Sequence, residues 1–179
     1  LTGRARALHD SLHDTLTGLP NRKLFIDRLQ QSLLIASREK GSLSILFIDM
    51  DEFKPINDSF GHSVGDLVLS EVAQRIKSCL RESDTVARIG GDEFIVLLPT
   101  TKTKQDASEV AEKIRHALSM PFELAKQSLR ISSSIGAATY PEHGSDEAML
   151  IKNADAAMYC AKNDGRNNVR IYQPNMNAG

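Results

Sequence analysis

The sequence predicts an α/β domain of the α+β kind, with a central mixed sheet and helices packed against it. Three observations predict it. Short apolar runs with no polar face alternate with segments whose apolar residues recur at helical spacing. Two of the short runs flank Gly90-Gly91, the signature of a hairpin. The chain has 179 residues, 41% of them hydrophobic, which is the size of one domain with a substantial core.

The elements follow in order. Ala5, Leu8, Leu12 and Leu16 keep helical spacing, so residues 1–13 are expected to end a helix entering from an upstream segment, with Pro20 and Asn21 as punctuation. Asn21 is a candidate cap for the helix bearing Leu24, Phe25, Ile26, Leu29, Leu33 and Leu34, which Gly41 ends. Leu43 to Ile48 is a short apolar run, broken at Ser44 and without a helical polar face, the pattern of a strand buried on both faces, and it runs into Asp49. Gly61 and Gly65 mark a loop before an amphipathic helix with Leu67, Leu69, Val72, Ala73, Ile76 and Leu80. Thr85 to Ile89 and Glu93 to Leu98 form the hairpin, its second strand stopped by Pro99. Val110, Ile114 and Leu118 give another helix. Leu129 to Thr139 reads as one strand weakened at Gly136, Ala148 to Lys162 as a helix ending near Gly165, and Val169 to Tyr172 as a last strand. The polar tail, residues 173–179 with Pro174, is expected to be a linker.

Composition narrows the function. A net charge of −1 offers no general attraction for nucleic acid or an anionic membrane, so any phosphate site must be local. Cys79 and Cys160 form no CxxC pattern and read as reduced thiols. No apolar run approaches the roughly 18 residues of a membrane span, and nothing resembles a signal peptide. A cytoplasmic domain is expected, without nucleic acid and without direct membrane contact, although a parent protein could still be membrane-anchored.

The chemistry gathers where acids follow apolar strands. Asp49-Met50-Asp51 ends the buried strand, and Gly90-Gly91-Asp92-Glu93 forms the hairpin turn. If the two strands are neighbours, their carboxylates converge, and hard oxygen ligands at one point select magnesium or calcium. The paired glycines permit positive φ and let a base or phosphate approach the backbone. An ordinary Gly-Gly turn with solvated acids accounts for this segment equally well. Between the strands, Lys54 is placed to neutralise a phosphate, and Asn57, His62 and Asp66 offer hydrogen-bonding edges to a purine. A carboxylate can accept both N1–H and the exocyclic amine of guanine, which adenine cannot supply. Singly, Asp66 reads as a helix cap and His62 as a loop residue; it is their combination that points to a nucleotide.

The motifs together resemble the GGDEF family of diguanylate cyclases. Arg88-Ile89-Gly90-Gly91-Asp92-Glu93-Phe94 spells its signature, and Asp49 to Asp58 resembles its second motif. Phe60-Gly61-His62 and Gly65-Asp66 follow at the family's spacing. Asp14 with Leu16 to Arg22, and Tyr159 with Ala161-Lys162 and Gly165-Arg166-Asn167, extend the match over about residues 14–172.

The resemblance implies a fold like the palm of nucleotidyl cyclases and polymerases, mostly antiparallel, with the signature at a hairpin turn. It implies condensation of two GTP molecules into cyclic di-GMP and pyrophosphate, one GTP per domain across a two-fold homodimer. Asp49, Asp92 and the main-chain carbonyl of Met50 are the implied ligands of magnesium, with manganese as an alternative ion. Asp92, Glu93 and Lys54 are the implied catalytic groups. Asn57, His62, Asp66, Gly90, Gly91, Lys162 and Arg166 are the implied GTP contacts, with Lys162 and Arg166 on the terminal phosphates. Arg81 and Asp84, an RxxD ahead of the hairpin, resemble the family's product-inhibition site for cyclic di-GMP; a helix-terminal arginine and a turn aspartate explain the same residues. An upstream sensor and a downstream phosphodiesterase domain of the EAL type are expected partners in a longer chain. The competing expectation is a domain that senses GTP for such a partner without making product.

Overall fold

The computed structural model describes residues 2–177. Position 1 of the expected N-terminal helix and positions 178 and 179 of the expected linker lie outside the described residues. Helices α1 (Gly3–Leu12) and α2 (Arg22–Glu39) precede strand β1 (Ser42–Met50), and helices α3 (Phe53–Phe60) and α4 (His62–Ser78) follow it. The hairpin β2 (Thr85–Gly90) and β3 (Glu93–Thr101) leads into α5 (Lys104–Ser119). A small hairpin, β4 (Phe122–Leu124) and β5 (Gln127–Leu129), precedes β6 (Ser133–Tyr140), α6 (Glu147–Asn163) and β7 (Val169–Ile171).

The main sheet has the order β2-β3-β1-β6-β7. β1 lies at its centre, antiparallel to β3 and β6, and only β7 runs parallel to its neighbour. Alternation along β1 sends Leu46, Ile48 and Met50 to one face, where they pack with Ile56 of α3, Val72 of α4 and Ile114 of α5. Ile45 and Phe47 go to the other face, against Phe25 and Leu29 of α2 and Leu150 and Met158 of α6. Burial on both faces explains why β1 carries no polar stripe. The same alternation turns Asp49 toward α6.

Several expectations need correction. Residues 129–139 are not one strand. Leu129 closes the separate β4–β5 hairpin, and β6 starts at Ser133. Ala125 and Lys126 turn that hairpin at φ 51° and 64°, without the glycine or asparagine that announces such a turn. Gly136 does not weaken β6; it admits α6, since a Cβ there would lie 2.2 Å from both the Ala154 carbonyl oxygen and the Met158 nitrogen. Pro99 does not stop β3. The β1–β3 register shifts between Ser42–Thr101 and Ser44–Leu98, and β2 reaches only to Leu97, so proline sits at an irregularity beyond the hairpin ladder. Gly61 and Gly65 do not share a loop: α3 occupies residues 53–60, Gly61 at φ 91° is the joint, and His62, Gly65 and Asp66 belong to α4. Asp66 is therefore not a cap and His62 not a loop residue.

The Asn21 side chain accepts the Leu24 N–H at 3.1 Å and caps α2. α1 is helical but buries none of its residues, and it ends at Leu12, ahead of the punctuation expected at Pro20 and Asn21. Residues 174–177 form a 3₁₀ turn whose Asn177 amide donates to Asn153 Oδ1 at 2.9 Å and to the Tyr172 hydroxyl at 2.7 Å. No helix of the described residues is long and apolar enough to cross a membrane.

Candidate active site

The ends of β1 and β3 build the acidic centre. Asp49 pairs with Glu93 in the ladder, and Gly91 and Asp92 form the turn between Gly90 and Glu93. Of the two glycines only Gly91 takes positive φ, 51°. A Cβ at either would meet nothing within 4 Å, so the turn faces open space. The Met50 N–H reaches the Asp92 carbonyl at 3.3 Å, tying the turn to β1.

The carboxyl of Asp49 lies within hydrogen-bonding reach of that of Asp92. Burial first, and the Asp92 charge second, push Asp49 up to about 7, while Lys162 opposes both. Glu93 is also raised, by burial, then by Asp155 on α6 and by Asp92, with Lys162 and Arg22 opposing. A buried acid whose ionisation a neighbouring carboxylate opposes is what a divalent cation relieves. Among the described residues no three His, Cys, Asp or Glu side chains gather as a metal cluster. An ion held here would draw its remaining oxygens from main chain and phosphate, the coordination that magnesium favours in nucleotide enzymes. The donor set, two carboxylates beside the Met50 peptide, fits that ion.

α6 brings the cations. Its close approach at Gly136 carries Lys162 to 3.3 Å from Asp49 Oδ2 and 3.7 Å from Asp51 Oδ1. Arg166 follows in an exposed loop, its Nη1 3.8 Å from Glu52 Oε1. A cleft of about 500 Å³ lies beside this loop, lined by Asp51, Glu52, Arg130, Ser132 and Arg166 among others.

α3 and α4 form the other wall. Lys54 is exposed on the first turn of α3, and Asn57 lies one turn later on the same side. Asn57 rests against Gly65, where a Cβ would fall 1.7 Å from Asn57 Oδ1. Asp66 follows Gly65 and is exposed, as is His62 at the start of α4. The candidate guanine contacts Asn57 and Asp66 thus meet where the two helices cross.

The hairpin turn is braced from below. Arg88 donates through Nε to the Gly91 carbonyl at 2.9 Å and through Nη1 to Asp14 Oδ1 at 3.0 Å. Asp14 Oδ2 accepts the Thr17 N–H and hydroxyl at 2.8 and 2.7 Å. Burial works against ionising Asp14, but Thr17 and Arg88 outweigh it and hold the carboxyl below its ordinary value.

Arg81 and Asp84 lie apart, in the α4–β2 connection. Asp84 Oδ2 accepts the Arg81 N–H at 2.9 Å, and its own N–H donates to the Arg81 carbonyl at 3.0 Å. This closed turn leaves the Arg81 side chain exposed between clefts of about 470 and 340 Å³, both lined by Arg81 and Asp84.

Sequence reasoning left out Asp51, Ser132, Ser134 and Asp155 as site residues. Asp51 had a signal: two-residue spacing from Asp49 at a strand end puts both carboxylates on the α6 face. The serines had none, because their approach to Asp51 is tertiary.

Comparison with known proteins identifies the family. Residues 11–168 match the family described as "Diguanylate cyclase, GGDEF domain". The chain is 47% identical over 168 residues to the bifunctional diguanylate cyclase/cyclic di-GMP phosphodiesterase MucR of Pseudomonas aeruginosa, covering 94% of this chain and 24% of MucR. It is 46% identical over 172 residues to the diguanylate cyclase TpbB of the same species, covering 96% of this chain and 40% of TpbB. The cyclic di-GMP phosphodiesterase PdeR of Escherichia coli is 41% identical over 165 residues, covering 92% of this chain and 24% of PdeR. The solved GGDEF domain of TpbB superposes with a TM-score of 0.91 at 45% identity, covering 93% of this chain and 97% of that one. The chain thus spans less than half the length of these curated relatives, and it belongs to the diguanylate cyclase GGDEF-domain family.

Proposed function

We propose that this domain condenses two GTP molecules into cyclic di-GMP, one GTP per domain in a two-fold dimer. The observation that carries the reading is the meeting of Asp49 and Asp92, distant in sequence, at one edge of the sheet. Asp49, Asp92 and the Met50 carbonyl would hold magnesium, or manganese in its place, and the bound ion supplies charge neutralisation to the triphosphate. Asn57 and Asp66 read the guanine edge, with His62 beside them. Lys54, Lys162 and Arg166 bind phosphate oxygens, and the open turn at Gly90-Gly91 leaves room for the nucleotide. The 3′-hydroxyl of one GTP attacks the α-phosphorus of the other, pyrophosphate leaves, and the hydroxyl proton passes to Asp92, with Glu93 positioning that turn. A second, identical step closes the ring. Placement and charge neutralisation do most of the catalytic work in such a transfer.

Two equivalent phosphodiester links require two pockets facing each other, so activity per molecule falls on dilution below the dimer affinity; a constant value would contradict the dimer. The Arg81–Asp84 turn is the product-inhibition site. In the parent chain, an upstream sensor joins at residues 1–13 and a further domain, of the EAL type, follows residues 173–179.

Relatives named phosphodiesterase, such as PdeR, favour a second reading, a domain that binds GTP and regulates a neighbouring phosphodiesterase. Incubation with GTP and magnesium separates the two. Cyclic di-GMP as product supports the cyclase; saturable GTP binding without product supports the sensor and ends the cyclase reading.

A further inference from the structure

We propose that Asp51 is a positioning residue for the triphosphate, holding in shape the loop that presents Lys162 and Arg166. The inference rests on the reading of those two cations as phosphate contacts. Asp51 is only 4% exposed. Its Oδ1 accepts the Ser134 hydroxyl at 2.6 Å, and its Oδ2 accepts the Ser132 hydroxyl at 2.6 Å and the Asn167 N–H at 3.0 Å. Its own N–H donates to the Ser132 carbonyl at 2.8 Å. One carboxylate therefore fastens together the end of β1, the approach to β6 and the α6–β7 loop.

That loop needs fastening. Gly165, Arg166 and Asn167 take φ of 102°, 62° and 48°, a left-handed run that side-chain-bearing residues avoid. The Asn168 amide secures the far side, donating to the Ala161 and Arg166 carbonyls at 2.7 and 2.8 Å. Asp51 secures the near side and adds its charge 3.7 Å from Lys162 Nζ. Asp49 and Asp51 share a face but divide the labour. Asp49 faces Asp92, whereas the oxygens of Asp51 are taken up by three donors and serve as an anchor.

The test compares affinities for 3′-deoxy-GTP, which lacks the attacking hydroxyl, and for GMP, in magnesium by calorimetry. Asp51→Asn is expected to weaken 3′-deoxy-GTP by about tenfold or more and GMP by less than about twofold, since only the triphosphate reaches the loop. A purely architectural residue would weaken both alike. Equal weakening, or an unchanged triphosphate affinity, overturns the inference. If Asp51→Asn fails to fold, the paired Ser132→Ala and Ser134→Ala variant, which keeps the charge, decides by the same criterion. A wild-type protein without preference for the triphosphate refutes the reading of Lys162 and Arg166 and this inference with it. A wild-type preference that the variants retain refutes this inference alone.

Discussion

The ammonium of Lys162 lies 3.3 Å from Asp49 Oδ2, yet Asp49 keeps a raised affinity for its proton because burial and Asp92 outweigh the lysine. The acidic centre is thus short of positive charge even with Lys162 in place. Metal-free protein should show this as a pH dependence. The Asp49 carboxyl rises from an ordinary 3.8 to about 7 in the folded state, so across that window the folded state holds more protons than the unfolded one. Stability then falls as pH rises through the window. Thermal melts in chelator between about pH 4.5 and 8 should show a slope that Asp49→Asn flattens, whatever Glu93 and Asp155 add in the same direction. Identical slopes in the two proteins would contradict the raised value.

Arg88 and Asp14 should be coupled. Both side chains are largely buried, at 15% and 19% exposure, and Arg88 also holds the Gly91 carbonyl. Arg88→Ala is expected to cost about 1.5–3 kcal/mol of stability, the range for a hydrogen-bonded charge losing its partner. A double-mutant cycle with Asp14→Asn by chemical denaturation measures the coupling. Strictly additive effects would mean that the turn does not depend on this pair.

Gly65→Ala should damage nucleotide binding more than folding. The new methyl would fall 1.7 Å from Asn57 Oδ1, so the side chain of Asn57 must leave the α3–α4 crossing. Guanine contacts suffer while the buried faces of both helices stay in place. GTP affinity is expected to drop by about tenfold, as for loss of one well-placed hydrogen bond to a base, with a melting temperature lowered by a few degrees. Unchanged affinity would remove Asn57 from the site.

Much of this was legible in the sequence, for physical reasons. β1 announced itself because burial on both faces leaves a run of four apolar residues, Ile45 to Ile48, directly before Asp49. The β2–β3 turn was legible because Gly91 needs positive φ. The turn at Ala125-Lys126 was not, since ordinary residues occupy the left-handed region there under tertiary constraint. α3 escaped notice because it has only two buried residues, Phe53 and Ile56, and includes Pro55 in its first turn, where proline is tolerated. Asn57 and Asp66 were expected on a loop and lie instead on α3 and α4, and the network around Asp51 joins segments more than 80 residues apart in sequence. No local pattern encodes that.

Arg81 should govern feedback. Its side chain is free of the turn that its own backbone makes with Asp84, and it projects between two clefts. Arg81→Ala is expected to raise the cyclic di-GMP concentration for half-inhibition by about tenfold or more, the loss of one charge-assisted contact to phosphate. Inhibition curves that superimpose with wild type would place the product elsewhere.

The most direct test of the central claim is manganese binding followed by electron paramagnetic resonance in the presence of 3′-deoxy-GTP. Wild-type protein should remove the free-ion signal at stoichiometric metal and nucleotide, and Asp49→Asn and Asp92→Asn should each leave it in solution. Retention of the bound ion in both variants would show that these two carboxylates do not share a metal, and the account of the site would fall.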